Sequence, residues 1–153
     1  MTDTNTEEAE PANRVDDFKQ RAATVRNKMG GAGKVAQLAE RGERTIREQI
    51  DGVLDNDTFR EVGTFSQSIR IEDRGKTPGD GKIGGHGKIN GRPVTIFGDD
   101  ITVMRGSSSI VGTRKEWRLY ERAIAMGEPI VHFGQTGGGR IPDVMGSEGI
   151  SEA

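Results

Sequence analysis

The segment Phe133-Gly134-Gln135-Thr136-Gly137-Gly138-Gly139-Arg140-Ile141 places three consecutive glycines after an apolar run. Lacking a Cβ, glycine lets a tight turn bring bare backbone N–H groups against something bulky and electron-rich. The preceding residues Pro129 to Phe133 (PIVHF) predict a short buried strand, so the glycines fall at a strand end, where open α/β architectures place ligand sites. Two adjacent N–H donors fixed there can stabilise a developing oxyanion, one of the larger single contributions to catalysis. Ordinary flexible loop chemistry accounts for the same composition, and this stretch alone does not decide between the two.

Other chemistry-bearing patterns lack the context they need. Gly79-Asp80-Gly81-Lys82-Ile83-Gly84 fits G-x-G-x-x-G, yet it leads into a hairpin and offers no helix N-terminus to a pyrophosphate. Gly75-Lys76-Thr77 ends like a P-loop, but the residue five before Gly75 is Arg70 where glycine is required. The only histidines, His86 and His132, have no acid at metal-ligand spacing, and His132 reads as a core or edge residue of its strand. Ser107, Ser108 and Ser109 lack a G-x-S-x-G elbow. No metal site is expected. Backbone donors are left as the carriers of any chemistry.

Composition narrows the setting. The chain has 153 residues and no cysteine, which removes disulfides, zinc thiolates and cysteine nucleophiles together. Ile, Leu, Val and Phe make up about a fifth of it, near the border of disorder-prone compositions, and glycine supplies 23 residues. Either the chain is loop-rich or part of its core comes from elsewhere. The N-terminal MTDTNTEEAEPA has no basic start followed by an apolar stretch, and no run approaches the about 20 apolar residues that span a bilayer, so a cytoplasmic protein away from membranes is expected. The net charge of -2 conceals an acidic start and a basic segment, residues 14–50, with nine Lys or Arg against five Asp or Glu. That density suits a phosphorylated small ligand better than nucleic acid, with Lys34, Arg44 and Arg47 as candidate contacts; a solvated helix face is the alternative.

The elements that must position these residues follow from spacing. Residues 1–12 are expected to be a disordered acidic tail. Asn13 can cap a helix over about 14–28, in which Val15, Phe18, Ala22, Val25 and Met29 repeat at three- and four-residue intervals and Gly30, Gly31 and Gly33 stop it. A second helical region is expected over about 34–54, a strand over Phe59 to Phe65, and a loop over Glu72 to Gly81. Asn90-Gly91 between His86 to Ile89 and Val94 to Phe97 predicts a hairpin. Gly112 to Met126 predicts a helix, with Trp117, Tyr120 and Ile124 on one side, Leu119, Ala123 and Met126 beside them, and Gly127 and Pro129 ending it. Hairpin, helix, strand and glycine turn make a β-β-α-β unit, preceded by a helical region over 13–55 and followed to residue 153.

Four stretches, in order, carry a family likeness. Gly42-Glu43-Arg44-Thr45-Ile46-Arg47-Glu48-Gln49-Ile50-Asp51-Gly52-Val53-Leu54-Asp55, with Phe59 after it, is similar to G-K-x-T-A-R-E-R-I-D-x-L-L-D. Gly79-Asp80-Gly81 through Gly85, Gly87 and Asn90-Gly91-Arg92-Pro93-Val94 is similar to G-D-G-V-V-x-G-x-G-x-x-x-G-R-P-V. Asp100-Ile101-Thr102-Val103-Met104-Arg105-Gly106-Ser107 is similar to D-F-T-V-x-G-G-S, with Lys115 at a lysine of the next helix, and Thr136-Gly137-Gly138-Gly139-Arg140-Ile141 to S-G-G-A-R-I. Together they resemble the N-terminal part of the carboxyltransferase subunit of biotin-dependent acyl-CoA carboxylases.

The resemblance implies an α/β crotonase-like fold, incomplete here, whose domain occupies residues 56–153. It implies a backbone oxyanion hole at Gly137 and Gly138, with Ser107, Lys115 and Gly139 joining Lys34, Arg44 and Arg47 in binding CoA. The implied reaction moves a carboxyl group from carboxybiotin to the α-carbon of an acyl-CoA through an enolate. The implied partners are a biotin carboxyl carrier protein, a biotin carboxylase subunit, and either further copies or a complementing chain. A biotin-dependent acyl-CoA decarboxylase and a non-catalytic assembly or regulatory module are the alternatives, the latter using the 14–28 helix. The chain departs from the motifs at Arg105, in place of the first glycine of G-G-S, at Gln135, where an acid often stands, and at Gly139, in place of alanine.

Overall fold

Asn90 and Gly91 adopt φ values of 50° and 77°, both positive as a type I′ turn requires. The turn joins β2 (Lys82–Ile89) to β3 (Arg92–Asp99), an antiparallel pair in register from Lys82 opposite Asp99 to Ile89 opposite Arg92. Asp55 clamps it: Oδ1 accepts the Asn90 N–H at 2.9 Å and Oδ2 the Gly91 N–H at 2.7 Å. The computed structural model in which this is seen describes residues 13–145. The expected acidic tail over 1–12 lies outside the described residues.

The sheet has the order β1-β2-β3-β4, with β1 (Arg60–Glu61) antiparallel to β2 and β4 (Ile130–Phe133) parallel to β3. Two expectations are corrected here. The strand over Phe59 to Phe65 is reduced to two residues, opposite His86 and Gly85, and after one further bond, from the Val62 N–H to the Gly84 carbonyl at 2.9 Å, Gly63 turns away at φ 68°. Gly85 permits even that much, since a Cβ there would sit 2.1 Å from the Arg60 carbonyl oxygen. β4 is half-exposed where a buried strand is predicted, because among the described residues β3 is its only neighbour in the sheet.

Asn13 caps α1 (Arg14–Lys28) as its position predicts, its Oδ1 accepting the N–H groups of Val15 and Asp16. The apolar stripe divides: Ala22 and Met29 are buried, whereas Val15 and Phe18 stay exposed, with Phe18 edge-on to Phe65. Gly33 does not stop a helix but lies inside α2 (Ala32–Glu40). The single helical region expected over 34–54 is broken at 41–45. Gly42 is left-handed at φ 71°, and Thr45 begins α3 (Ile46–Asp51) with a reciprocal capping box to Glu48.

Side chains alternate across the two central strands, as the two-residue period of a strand demands. Ile83, Val94 and Ile96 pack with Met29, Ile46, Ile50 and Leu54 of the helical segment. On the other face α4 (Ile110–Met126) lies over Gly84 and Phe97. It starts two residues earlier than expected because Ser109 accepts the Gly112 N–H. Its buried residues include Lys115, Leu119 and Ala123, while Trp117 and Ile124, expected together on one side, are both exposed. The loop expected before the hairpin is wound into a 3-10 turn, Ile71–Lys76, and a turn, Pro78–Gly81, in which Gly79, Asp80 and Gly81 are left-handed, and α5 (Ile141–Val144) follows the glycine turn.

Candidate functional site

The glycine turn is held at both ends. Where it leaves β4, the Gln135 N–H donates to Asp99 Oδ2 at 3.0 Å, and the other Asp99 oxygen accepts from Lys82 Nζ at 2.6 Å. Lys82 also bonds Glu116 at 2.9 Å, and those two carboxylates raise its pKa against the effect of burial. Where the turn enters α5, Arg140 is buried and donates to Asp80 Oδ1 at 2.6 Å and Asp143 Oδ2 at 3.2 Å. Ser109 donates to the second oxygen of Asp80.

Between these anchors the turn lies against the loop after β3. The Ser108 N–H donates to the Gly138 carbonyl at 2.8 Å and the Arg140 N–H to the Ser108 carbonyl at 2.7 Å, a parallel bridge pairing Ser108 with Gly139. The backbones touch at Gly137, where a Cβ would fall 2.7 Å from the Arg105 carbonyl oxygen. Gly138 has φ 100° and donates its N–H to Thr136 Oγ1 at 3.2 Å. The Gly137 N–H has no acceptor among the described residues.

A hollow of about 520 Å³ opens beside Gly137, lined also by Lys34, Arg41, Thr102, Arg105 and Thr136. Its charged walls are all cationic. Lys34 is placed there by Thr102, whose carbonyl accepts from Nζ at 2.8 Å and whose Oγ1 accepts the Gly30 N–H at 2.8 Å. Thr102 is fixed in turn by Asp100, a buried carboxyl whose pKa burial raises. Arg41 is paired with Glu43 at 3.0 Å; Arg105 has no partner among the described residues. Arg105 and Met104 both have positive φ, 60° and 48°. This region costs an ordinary side chain about 1 kcal/mol.

Of the expected site residues, the fold brings Lys34 and Gly137 to one hollow, with Gly138 and Gly139 on the adjoining turn. Ser107 is next to Ser108 of the bridge, its N–H donating to the Met104 carbonyl at 3.2 Å. The other three stand apart from the hollow's lining. Arg47 makes a two-pronged ion pair with Glu61 at 3.0 and 3.1 Å, and Arg26 adds a third bond at 2.9 Å. Burial pushes the Glu61 carboxyl up, but Arg47 and then Arg26 outweigh it and hold it below the usual carboxylate range. Lys115 is buried, its ammonium on the carbonyls of Lys82 and Gly63. Burial lowers its pKa to about 8. Arg44 is exposed beside Gly52 at the end of α3.

The sequence pattern gives no role to Arg41 or to the Asp80–Arg140 pair and marks Arg105 only as a departure. A charged residue inside a glycine-rich motif was the available signal for three of these four.

Residues 37–151 match the Carboxyl transferase domain. The chain belongs to this carboxyltransferase family. It is 34% identical over 140 residues to the propionyl-CoA carboxylase carboxyltransferase subunit of Haloferax mediterranei, an alignment that takes in 89% of this chain and 27% of that one. It is 35% identical over 121 residues to the methylmalonyl-CoA carboxyltransferase 12S subunit of Propionibacterium freudenreichii subsp. shermanii, covering 77% and 23%. The crystal structure of transcarboxylase 12S, a hexamer with methylmalonyl-coenzyme A and methylmalonic acid bound, superimposes with a TM-score of 0.81 at 32% identity, over 91% of this chain and 27% of that one. A single-chain, multi-domain long-chain acyl-CoA carboxylase superimposes at 0.79 with 25% identity, covering 91% and 15%. This carboxyltransferase chain thus spans about a quarter of the length of the curated relatives it matches, and its fold is the expected crotonase-like one.

Proposed function

We propose that this chain forms the acyl-CoA half of a carboxyltransferase site, in which a carboxyl group passes from carboxybiotin to the α-carbon of an acyl-CoA. The observation that carries the reading is Gly137, on the wall of the hollow of about 520 Å³, whose N–H has no acceptor among the described residues. A thioester whose oxygen meets this donor becomes easier to deprotonate at its α-carbon, because the developing enolate oxygen is held by a group already in position. The Asp99 and Arg140 anchors keep that donor from moving as charge develops. Lys34 and Arg41 add a positive field that favours an anionic ligand.

Carboxybiotin enters as the second substrate and supplies the activated carboxyl group from a separate carrier protein; no described residue of this chain is assigned to it. The rest of the site comes from another part of the carboxyltransferase, and a biotin carboxylase subunit reloads the carrier. Assembly into an oligomer and a cytoplasmic location belong to the same reading.

The test is transfer of isotopically labelled carboxyl from the carboxylated carrier to propionyl-CoA. The chain is assayed together with a polypeptide bearing the remainder of the carboxyltransferase, and that polypeptide is assayed alone. Label appearing in the acyl-CoA only when the chain is present is the expected result. Equal transfer with and without the chain overturns it.

A further inference from the structure

Arg105 holds a left-handed backbone conformation that glycine adopts without strain, and the related motif carries glycine there. Its backbone touches Gly137, its Cβ lying 3.3 Å from the place where a Gly137 Cβ would stand, and it lines the same hollow. Arg41 is paired with Glu43 and Lys34 with the Thr102 carbonyl, whereas the Arg105 guanidinium is free among the described residues. Arg105 is exposed, so water solvates its charge until a ligand enters; an anion arriving beside the candidate oxyanion donor meets a cation with no other partner among the described residues. The identity of that anion follows from the proposed function, on which this inference rests. With a CoA thioester oxygen at Gly137, the CoA phosphates are a whole pantetheine arm away. An anion within reach of a side chain rooted against Gly137 therefore belongs to the acyl group or is the carboxyl of carboxybiotin, and titration with thioesters alone, without the carrier, isolates the first.

We propose that Arg105 determines acyl specificity by binding a carboxylate on the acyl group, so that the hollow selects carboxyacyl thioesters of CoA over neutral ones. The planar guanidinium matches a carboxylate with two parallel N–H donors, a geometry lysine does not supply. The carboxylate has two possible sources, the α-carboxyl that the reaction installs or one at the far end of the acyl chain.

Calorimetric titration of the full chain with propionyl-CoA, methylmalonyl-CoA, succinyl-CoA and free CoA separates these. One carboxylated thioester should bind about ten- to a hundredfold more tightly than propionyl-CoA. Preference for methylmalonyl-CoA assigns the α-carboxyl, and preference for succinyl-CoA the distal one. Arg105→Gly, which relieves the backbone and so is not expected to unfold the chain, should bring the ratio of carboxylated to neutral affinity close to one. Arg105→Lys should restore only part of it. Equal affinity for all three thioesters, a preference that survives Arg105→Gly, or the same loss for free CoA as for every thioester overturns the inference and leaves the proposed function standing. Failure to bind any thioester overturns both.

Discussion

Arg140 and Asp80, sixty positions apart in sequence, meet at 2.6 Å with side chains 3% and 0% exposed. Their contact ties the exit of the glycine turn to the left-handed Gly79-Asp80-Gly81 turn that precedes the hairpin. Removing one member leaves the other as a buried charge without its partner, which costs about 3 to 5 kcal/mol. Arg140→Ala should therefore lower the urea midpoint sharply. The double variant Asp80→Asn, Arg140→Met should recover part of the loss, since it leaves only Asp143 without its cation and not Asp80 as well. A double variant no more stable than Arg140→Ala alone would show that the pair is not what Arg140 contributes.

Lys115 gives a pH dependence with a definite sign. Its pKa falls from an ordinary 10.5 to about 8 in the folded chain because burial disfavours the ammonium. Between these values the unfolded chain binds more protons, so stability rises with pH. The contribution is fully present above about 10.5 and is lost as pH falls through about 8, a swing of about 3 kcal/mol. Lys115→Met removes the titrating group without removing its bulk. The stability of the unmodified chain relative to this variant should increase from pH 7.5 to 10, measured by urea unfolding at each pH. A difference that stays flat would mean that the amine titrates as if in water.

Asp55 shows how one side chain can fix a register. Its two oxygens accept the N–H groups of Asn90 and Gly91, while its own N–H donates to the Lys88 carbonyl at 2.8 Å. The two turn residues are exposed, so water replaces much of what Asp55→Ala removes, and the expected cost is about 1 to 2 kcal/mol. Asp55→Asn keeps one acceptor and should fall between. Chemical denaturation of both variants checks the order. An Asn variant as damaged as the Ala variant would point to the charge and not to the acceptor count.

The parts of the fold legible in sequence are those decided by neighbours along the chain. The Asn90-Gly91 turn, the Asn13 cap and the Gly127 end of α4 each follow from one residue's backbone preference, and each is where spacing puts it. The 59–65 strand and the burial of β4 depend on what lies beside them, and alternation along the chain carries no information about a missing neighbour in the sheet. The site divides in the same way. Gly137 could be picked out as a candidate from its motif, but nothing in the sequence separates Arg47 and Lys115, which meet Glu61 and a set of carbonyls, from cations on a phosphate, because a long cation reads alike in each setting. Arg105 was visible only as an exception. Its meaning came from a φ angle and from the residues that share its hollow.

Gly137 and Gly138 are adjacent, yet substitution should affect them differently. At Gly137 a Cβ would stand 2.7 Å from the Arg105 carbonyl oxygen, a backbone atom that cannot rotate aside, so Gly137→Ala must part the turn from the loop after β3. At Gly138 a Cβ meets nothing within 4 Å, but φ 100° strains any side chain, and a β-branched one most. His132, tilted by 34° against Phe97 with ring centroids 4.5 Å apart, is exposed and contributes packing at the end of β4. In the assembled carboxyltransferase, displacing one preorganised donor typically costs about 10² to 10³ in rate. Gly137→Ala and Gly138→Val should each lose turnover on that scale, the first by displacing the Gly137 N–H and the second by twisting the turn that presents it. His132→Ala should retain most activity. The measurement is the acyl-CoA carboxylation rate of the three variants at matched assembly. Near-normal turnover in both glycine variants, together with loss of activity in His132→Ala, would remove the oxyanion role from the turn and assign the proton chemistry to the histidine.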